Sequence, residues 1–140
     1  MGTNNLNNPH VMTIPLGDVS ASAVLPAGWF PKKAVLLGAA VINGAALAQS
    51  DTNYVDVKLK SGSTVLGELS TKVTAVGGTA ANAALADKVA AALGMASAIY
   101  ADGAPSDLTV DAGASLVADI TVGGSGALAK AMLQIHYYPL

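Results

Sequence analysis

The chain contains no cysteine and no arginine, and Glu68 is its single glutamate. The absence of cysteine excludes disulfides, thiol catalysis and thiolate metal sites. All seven basic residues are lysines, so bidentate recognition of phosphate or carboxylate by a guanidinium group is also excluded. One glutamate cannot supply the pair of glutamates that hydrolyses glycosides. These absences remove several common classes of enzyme and binding site.

Charged residues are also scarce, at 11% of the chain with a net charge of -2, against roughly 25% in an average soluble domain. No basic field is available, so the sequence predicts that nucleic acid is not a partner. Two explanations of the low charge are open. In the first, another protein covers part of the surface. In the second, an alanine-rich composition with small side chains inflates the 52% hydrophobic content.

No segment of the sequence has the length or character of a membrane span or a secretion signal. The longest apolar run, Ala34–Ile42, is far shorter than the roughly 20 residues that cross a bilayer. Residues 1–9 are polar and rich in asparagine, with neither a basic nor an apolar signal region. We therefore expect no membrane association. Residues 1–16 are predicted to form an extended N-terminal arm, ahead of a single domain over residues 17–140.

Apolar and polar residues alternate along three segments near the carboxyl end, which predicts half-buried strands. These segments are residues 105–111, 116–122 and 129–138, joined by Ala-Gly and Gly-Gly-Ser-Gly turns that predict β-hairpins. In the last segment Ala131, Leu133, Ile135 and Tyr137 are predicted to face the core. Leu116, Ala118, Ile120 and Val122 do the same in the segment before it.

Further strands are predicted earlier in the chain. Residues 54–60 and 64–71 are predicted to form a hairpin, and residues 33–43 are so uniformly apolar that burial of both strand faces is expected. The second face would meet either another layer or a neighbouring subunit. Trp29 and Phe30 stand between prolines, and this pair is either a plug for the core or an anchor for a partner.

One segment has a different periodicity. Ala81, Leu85, Val89 and Leu93 recur every four residues, Thr79 suits an N-cap and Gly94 suits a C-cap. This pattern predicts one short alanine-rich helix over about residues 80–93. Together with eight to ten short strands, it predicts a mainly β fold, an antiparallel β-sandwich or jelly-roll-like domain.

Two motif matches in the glycine-rich turn fail on context. Residues 124–129 match the dinucleotide fingerprint, but the chain ends too soon for the required helix, strand and acidic residue. Residues 123–127 approach the nucleophile elbow, but no acid lies between Ser125 and His136. Neither His10 nor His136 has a metal-ligating neighbour at close spacing. The sequence therefore predicts no catalytic residue, no metal and no cofactor, and hence no enzyme.

From Lys33 onward the order of features resembles small structural proteins of tailed bacteriophages that decorate or cement the capsid exterior. The resemblance is carried by residues 51–57, 107–116, 124–126 and 133–139, a series of strand, Ala-Gly, strand, glycine-rich turn and a last strand ending in tyrosine. The predicted helix departs from the all-β form of these proteins. The resemblance implies a non-enzymatic protein, commonly a homotrimer, that binds the major capsid protein on the outside of the virion after synthesis in the host bacterial cytoplasm.

The expected capsid-contact residues come from the arm and from the aromatic pair, and they are Asn4, Asn5, Leu6, Asn7, Asn8, His10, Trp29 and Phe30. Asparagine side chains both donate and accept hydrogen bonds, which suits a segment that orders against a partner. The alternative is a receptor- or glycan-binding β-sandwich of a phage tail or fibre. A groove lined with exposed aromatics would favour that alternative, and an aromatic content of 4% weighs against it.

Overall fold

Eleven β-strands form two sheets in the computed structural model, which describes residues 10–78, 80–96 and 108–139. The first sheet has the order β1 (His10–Val19), β11 (Leu128–Pro139), β3 (Ala34–Ile42) and β7 (Ala91–Ala92), with β9 (Thr109–Val110) also paired to β3. The second sheet has the order β2 (Ala23–Phe30), β10 (Ala114–Gly123), β4 (Tyr54–Ser61), β5 (Thr64–Ser70) and β6 (Ala81–Asn82), with β8 (Gly94–Met95) also paired to β5. Pairing is antiparallel throughout these strands except between β5 and β6.

The two sheets form a sandwich-like arrangement around one cluster of buried apolar side chains, which confirms the mainly β fold. The predicted strand faces are also confirmed. Every second residue along most of β10 and β11 is buried in the core. The alternation of apolar and polar residues in the sequence therefore matches the alternation of buried and outward-facing side chains. The most buried of these residues are Leu116, Ala118, Ile120, Ala131, Leu133 and Ile135.

The connections near the carboxyl end differ from the predicted hairpins. The strands exist, but β9 and β11 belong to the first sheet and β10 belongs to the second. The turn at Gly123–Gly126 therefore carries the chain from one sheet to the other. The hairpin of β4 and β5 is confirmed, with register from Asp56 opposite Ser70 to Ser61 opposite Thr64. A short glycine turn is compatible both with a hairpin within one sheet and with a crossing between the two sheets. Which of the two forms depends on the strand with which the next segment pairs.

The predicted helix over residues 80–93 is wrong. The described residues of this segment contain no helix, and they lie along the edges of both sheets as β6, β7 and isolated bridges. The amide of Leu85 donates to the carbonyl of Leu47 at 2.9 Å, and the carbonyl of Leu85 accepts from the amide of Leu47 at 2.8 Å. The amide of Leu93 donates to the carbonyl of Ala39 at 2.9 Å. Val89, at a predicted core position, is 56% exposed. Helix propensity is a weak preference, and pairing with existing strands outweighs it here.

The boundary of the predicted arm also changes. Residues 10–16 form the first part of β1, whose register on β11 begins with His10 opposite Tyr137 and continues to Ile14 opposite Leu133. Met12 and Ile14 pack against the core cluster and Leu16 is buried in it. These residues are part of the sheet because their alternating apolar side chains have a buried surface to cover. Residues 1–9 lie outside the described residues.

Candidate interaction surface

The outer surface of the first sheet is free of charged side chains over the greater part of its area. We call it the uncharged face, and it consists of Val11, Thr13, Pro15, Ala40, Ile42, Met132, Gln134, His136 and Tyr138. The register joins these residues in rows, with Thr13, Gln134 and Ala40 in one row and Pro15, Met132 and Ile42 in the next. No aspartate, glutamate or lysine occurs in residues 10–15, 34–42 or 131–139. The low charge of the whole chain is therefore concentrated on one surface.

The two-sided apolar character of β3 is explained by the same surface. Leu36, Ala39 and Val41 are buried in the core, and Ala40 and Ile42 are half-buried on the outside. The strand lies in the middle of the first sheet, between β11 and the short strands β7 and β9. The structure thus provides the core on one side of β3. On its other side lies the uncharged face.

The outer surface of the second sheet is charged, and we call it the charged face. It carries Asp56, Lys58, Lys60, Glu68 and Asp119. Lys58 stands opposite Glu68 on one side and Asp119 on the other, and the Lys60 ammonium lies 3.2 Å from the Asp119 carboxylate. Opposite charges on neighbouring strands favour this pairing. The sandwich therefore has two chemically different outer surfaces.

Asp56 differs from the other charged residues of the charged face. It is only 8% exposed, and its Oδ1 is buried with no hydrogen-bond partner among the described residues. Thr121 and Ser70 stand opposite it on the two neighbouring strands. A buried oxygen without a donor is unfavourable for the folded state.

An apolar cleft of about 210 Å³ opens at the end of the sandwich where β1 begins. We call it the aromatic cleft, and it is lined by His10, Met12, Phe30, Pro31, Lys32, Ala34, Tyr137 and Pro139. The Tyr137 ring lies between two others, with its centroid 5.1 Å from that of Phe30 and 5.5 Å from that of His10. The three rings come from β1, β2 and β11, so the cleft spans both sheets. Lys32 contributes a cationic side chain to this lining.

The structure separates the two members of the aromatic pair. Phe30 is 2% exposed and belongs to the core, which agrees with the core plug among the two alternatives expected for this pair. Trp29 is 59% exposed and stands opposite Ser115 on the outer side of the second sheet. Consecutive strand residues point to opposite faces, and β2 continues through both positions rather than breaking there.

The remaining predicted contact residues fall into two groups. His10 is exposed at the rim of the aromatic cleft, near Phe30 but on the opposite side of β2 from Trp29. Asn4, Asn5, Leu6, Asn7 and Asn8 lie outside the described residues. The structure thus brings His10 and Phe30 together. It does not bring Trp29 into the same cleft.

The glycine-rich turn has a structural role that explains its composition. A Cβ on Gly126 would clash with the carbonyl oxygen of Tyr54, and Gly124 has a φ of +57°. The amide of Ser125 donates to the Asn53 side chain at 2.9 Å. Close approach of two backbones and a left-handed φ both require glycine. The turn packs against the start of β4.

No group of three or more His, Asp or Glu side chains lies close enough to hold a metal ion in the part of the chain that the structure describes. Within the same ranges, no helix has the length and apolar character needed to cross a membrane. His136 lies on the uncharged face and Ser125 in the turn after β10.

The comparisons with known proteins returned no relative: no family model, no curated protein and no solved structure matches this chain.

Two features of this surface are absent from the sequence prediction. The alternation predicts that Tyr137 faces the core, but its position between His10 and Phe30 depends on which strands become neighbours. The uncharged face combines three separated segments. The sequence does contain a signal for the uncharged face, since six of the chain's acidic and basic side chains, among them Asp51, Lys60 and Glu68, occur within residues 51–72.

Proposed function

We propose that this protein is a structural virion protein that attaches to the outside of a tailed-phage capsid and stabilises it. In this proposal its partner is the major capsid protein, it acts as a homotrimer, and it neither binds a cofactor nor catalyses a reaction. It is made in the host bacterial cytoplasm and functions on the capsid exterior. The family resemblance of the sequence and the contrast between the two outer surfaces support this function.

The single observation that carries the proposal is the uncharged face. Three neighbouring strands, each about 4.8 Å apart and about eight residues long, give it a planar area of roughly 400 Å². Val11 and Met132 are exposed apolar side chains on it, and exposed apolar surface grouped with uncharged neighbours often marks an interaction site. Water-exposed surface of a freely soluble protein normally carries mixed charges, and the charged face has them. The uncharged face therefore suits contact with another protein.

The edge of the first sheet extends this surface. In the described ranges β1 pairs with β11 alone, so the backbone groups along its other edge have no neighbouring strand. Residues His10 to Ile14 of this edge carry no lysine, proline or acidic side chain of the kind that blocks strand addition. A capsid strand added to β1 would continue the uncharged face.

A second candidate function, a receptor- or glycan-binding domain of a phage tail or fibre, is favoured by one observation. Trp29 is 59% exposed, and an exposed indole stacks well on a sugar ring. Binding to host surface glycans that is lost in Trp29→Ala, without binding to capsids, would support this alternative.

The test of capsid attachment adds one positive charge to each outer surface. Thr13→Lys places a lysine on the uncharged face, and Thr121→Lys places one on the charged face, beside Asp56. Both threonines are exposed on strands, so the two variants are matched in the substitution and in the exposure of the substituted site. Each protein is incubated with undecorated phage heads, and the bound fraction is measured after sedimentation.

We expect Thr13→Lys to weaken binding at least about tenfold, since it buries a charge at the interface, and Thr121→Lys to bind like the unmodified protein. Equal binding by both variants would remove the uncharged face from the attachment surface. Failure of the unmodified protein to bind heads would overturn the proposed function.

A further inference from the structure

We infer that the indole of Trp29 from one copy of this chain occupies the aromatic cleft of a second copy. The inference rests on the proposed function only in taking the protein to be an oligomer, and it adds the contact that joins the subunits. It assigns a common role to two features that a single copy leaves apart: an exposed tryptophan and an open apolar cleft.

The first step concerns the tryptophan. Trp29 is the only tryptophan of the chain, and 59% of it is exposed to solvent. Complete burial of an aromatic side chain removes roughly 150–250 Å² from water, and the larger part of that area is still exposed on Trp29. Tryptophan is also among the residues most enriched in the energetic centres of protein interfaces. An exposed tryptophan at a strand end is therefore a strong candidate for an anchor.

The second step concerns the cleft. Its volume is about 210 Å³ and its lining is largely apolar, with rings from His10, Phe30 and Tyr137. A cavity of about 150 Å³ holds a benzene ring, so the aromatic cleft has room for the larger indole. Lys32 lines the same cleft, and a lysine ammonium is attracted to the face of an indole.

The third step excludes the same copy as the source of the indole. Phe30 contributes its ring to the cleft from the inner side of β2, whereas Trp29, one residue earlier, projects from the outer side opposite Ser115. The two side chains therefore point away from each other. Only the Trp29 of another molecule can enter this cleft.

The fourth step concerns symmetry. The indole and the cleft are different surfaces of one chain, so each subunit can place its indole in the cleft of the next subunit. Such head-to-tail contacts produce closed rings when the rotation between neighbours closes. In a ring of three, every Trp29 indole occupies a cleft and every cleft is filled. Two reciprocal contacts achieve the same in a dimer, so the measured mass distinguishes the trimer from the dimer.

The single tryptophan makes the experiment direct. Intrinsic fluorescence and acrylamide quenching of the unmodified protein are recorded over a concentration series, alongside mass from light scattering. We expect the emission maximum to move to shorter wavelength and quenching to fall as the oligomer forms. An oligomer whose tryptophan stays as accessible as in the monomer would overturn the inference.

A complementation experiment uses two variants. Trp29→Ala lacks the indole but keeps the cleft, and Ala34→Leu keeps the indole but fills part of the cleft. We expect each variant alone to dissociate at least about 30-fold more readily than the unmodified protein. Mixed together, they should form a one-to-one complex, because one intact indole then meets one intact cleft. No complex in the mixture would contradict the inference.

Ala34 is only 1% exposed, so folding of Ala34→Leu is checked by circular dichroism. Lys32→Glu, in the exposed turn after β2, provides a second cleft variant that leaves the core intact. It should weaken the oligomer, since a carboxylate repels the indole face. Lys33→Glu, the neighbouring exposed lysine outside the cleft lining, is its control and should not.

The outcomes separate this inference from capsid attachment. A protein that is monomeric at all concentrations, with an exposed tryptophan and a cleft that takes up a small apolar dye, overturns the inference even where it still binds heads. An oligomer that depends on Trp29 but does not bind heads supports the inference and removes the proposed function.

Discussion

The ring of Tyr137 meets the ring of Phe30 nearly edge to face, with the ring planes at 82° and the centroids 5.1 Å apart. Tyr137 belongs to β11 of the first sheet and Phe30 to β2 of the second, so this contact joins the two layers. Edge-to-face pairs contribute about 0.5–1.5 kcal/mol beyond the area that they bury. The contact closes the core at the end of the sandwich where the aromatic cleft opens.

The first prediction concerns this contact. Phe30→Ala should lower the free energy of unfolding by about 3–5 kcal/mol, because it removes a buried ring and leaves a cavity. Val24→Ala on the same strand is the control. Val24 is 62% exposed, so its truncation should change stability by less than about 0.5 kcal/mol. Urea unfolding followed by circular dichroism measures both, and equal losses would place Phe30 outside the core.

The second prediction tests the register of β11. Leu133 is fully buried and Gln134 is half-buried on the uncharged face. Leu133→Asp should unfold the domain, since it buries an unpaired carboxylate at a cost of several kcal/mol against a typical stability of roughly 5–15 kcal/mol. Gln134→Asp should fold. Thermal melts of the two variants decide, and similar melting temperatures would mean that the face assignment is wrong by one residue.

The strands at the carboxyl end could be predicted because their buried residues recur with the two-residue period of a β-strand. Ile120 and Leu133 are each separated from the next core residue by a single outward-facing residue. An α-helix does not produce this alternation. The partner of each strand could not be predicted in the same way. The turn after Gly123 looks the same whether the next strand pairs with β10 or joins the opposite sheet.

The errors in the sequence prediction have the same origin. The spacing of Leu85 and Leu93 suits a helix, but their backbone groups bond to Leu47 and Ala39, which are more than 35 residues away. No local pattern contains those partners. Trp29 and Phe30 are adjacent and both aromatic, so the sequence alone does not show which of the two side chains is buried. Their opposite exposures follow from the pairing of β2 with β10.

The third prediction concerns acid. The amide and hydroxyl of Thr74 donate to the exposed Asp51 carboxylate at 2.9 and 2.8 Å and the amide of Val73 at 3.0 Å. These hydrogen bonds, chiefly those from Thr74, hold the pKa of Asp51 below its ordinary value of 3.8. The folded state thus binds this proton less tightly than the unfolded state. The stabilisation is complete above about pH 3.8 and is lost as the pH falls through the lower folded-state pKa.

Amide NMR spectra across an acid titration provide the measurement. The Val73 and Thr74 amide signals should move together as Asp51 takes up its proton, with a midpoint below pH 3.8. Asp51→Asn should abolish this transition while leaving the signals of β10 unchanged. A midpoint at or above the ordinary value would show that the hydrogen bonds are not formed in solution.

The fourth prediction concerns the unpaired oxygen of Asp56. The residue is 8% exposed and its Oδ1 has no donor within the described residues. Asp56→Val replaces the carboxylate with an apolar group that suits a central strand. We expect it to raise the free energy of unfolding by about 1 kcal/mol or more, since the penalty of a buried unpaired oxygen disappears.

Thr71→Val is the matched control for Asp56→Val, because Thr71 is also a buried polar residue but its hydroxyl is hydrogen-bonded. The Thr71 Oγ1 accepts from the amide of Val55 at 2.8 Å, and the residue is 1% exposed. Removing this oxygen leaves a buried amide without an acceptor and should cost about 1–3 kcal/mol. Urea unfolding should therefore shift in opposite directions for the two variants. A loss of stability in Asp56→Val would mean that the carboxylate has a partner in solution. The first group to test as that partner is the Lys58 ammonium, which lies two residues further along the same face of β4.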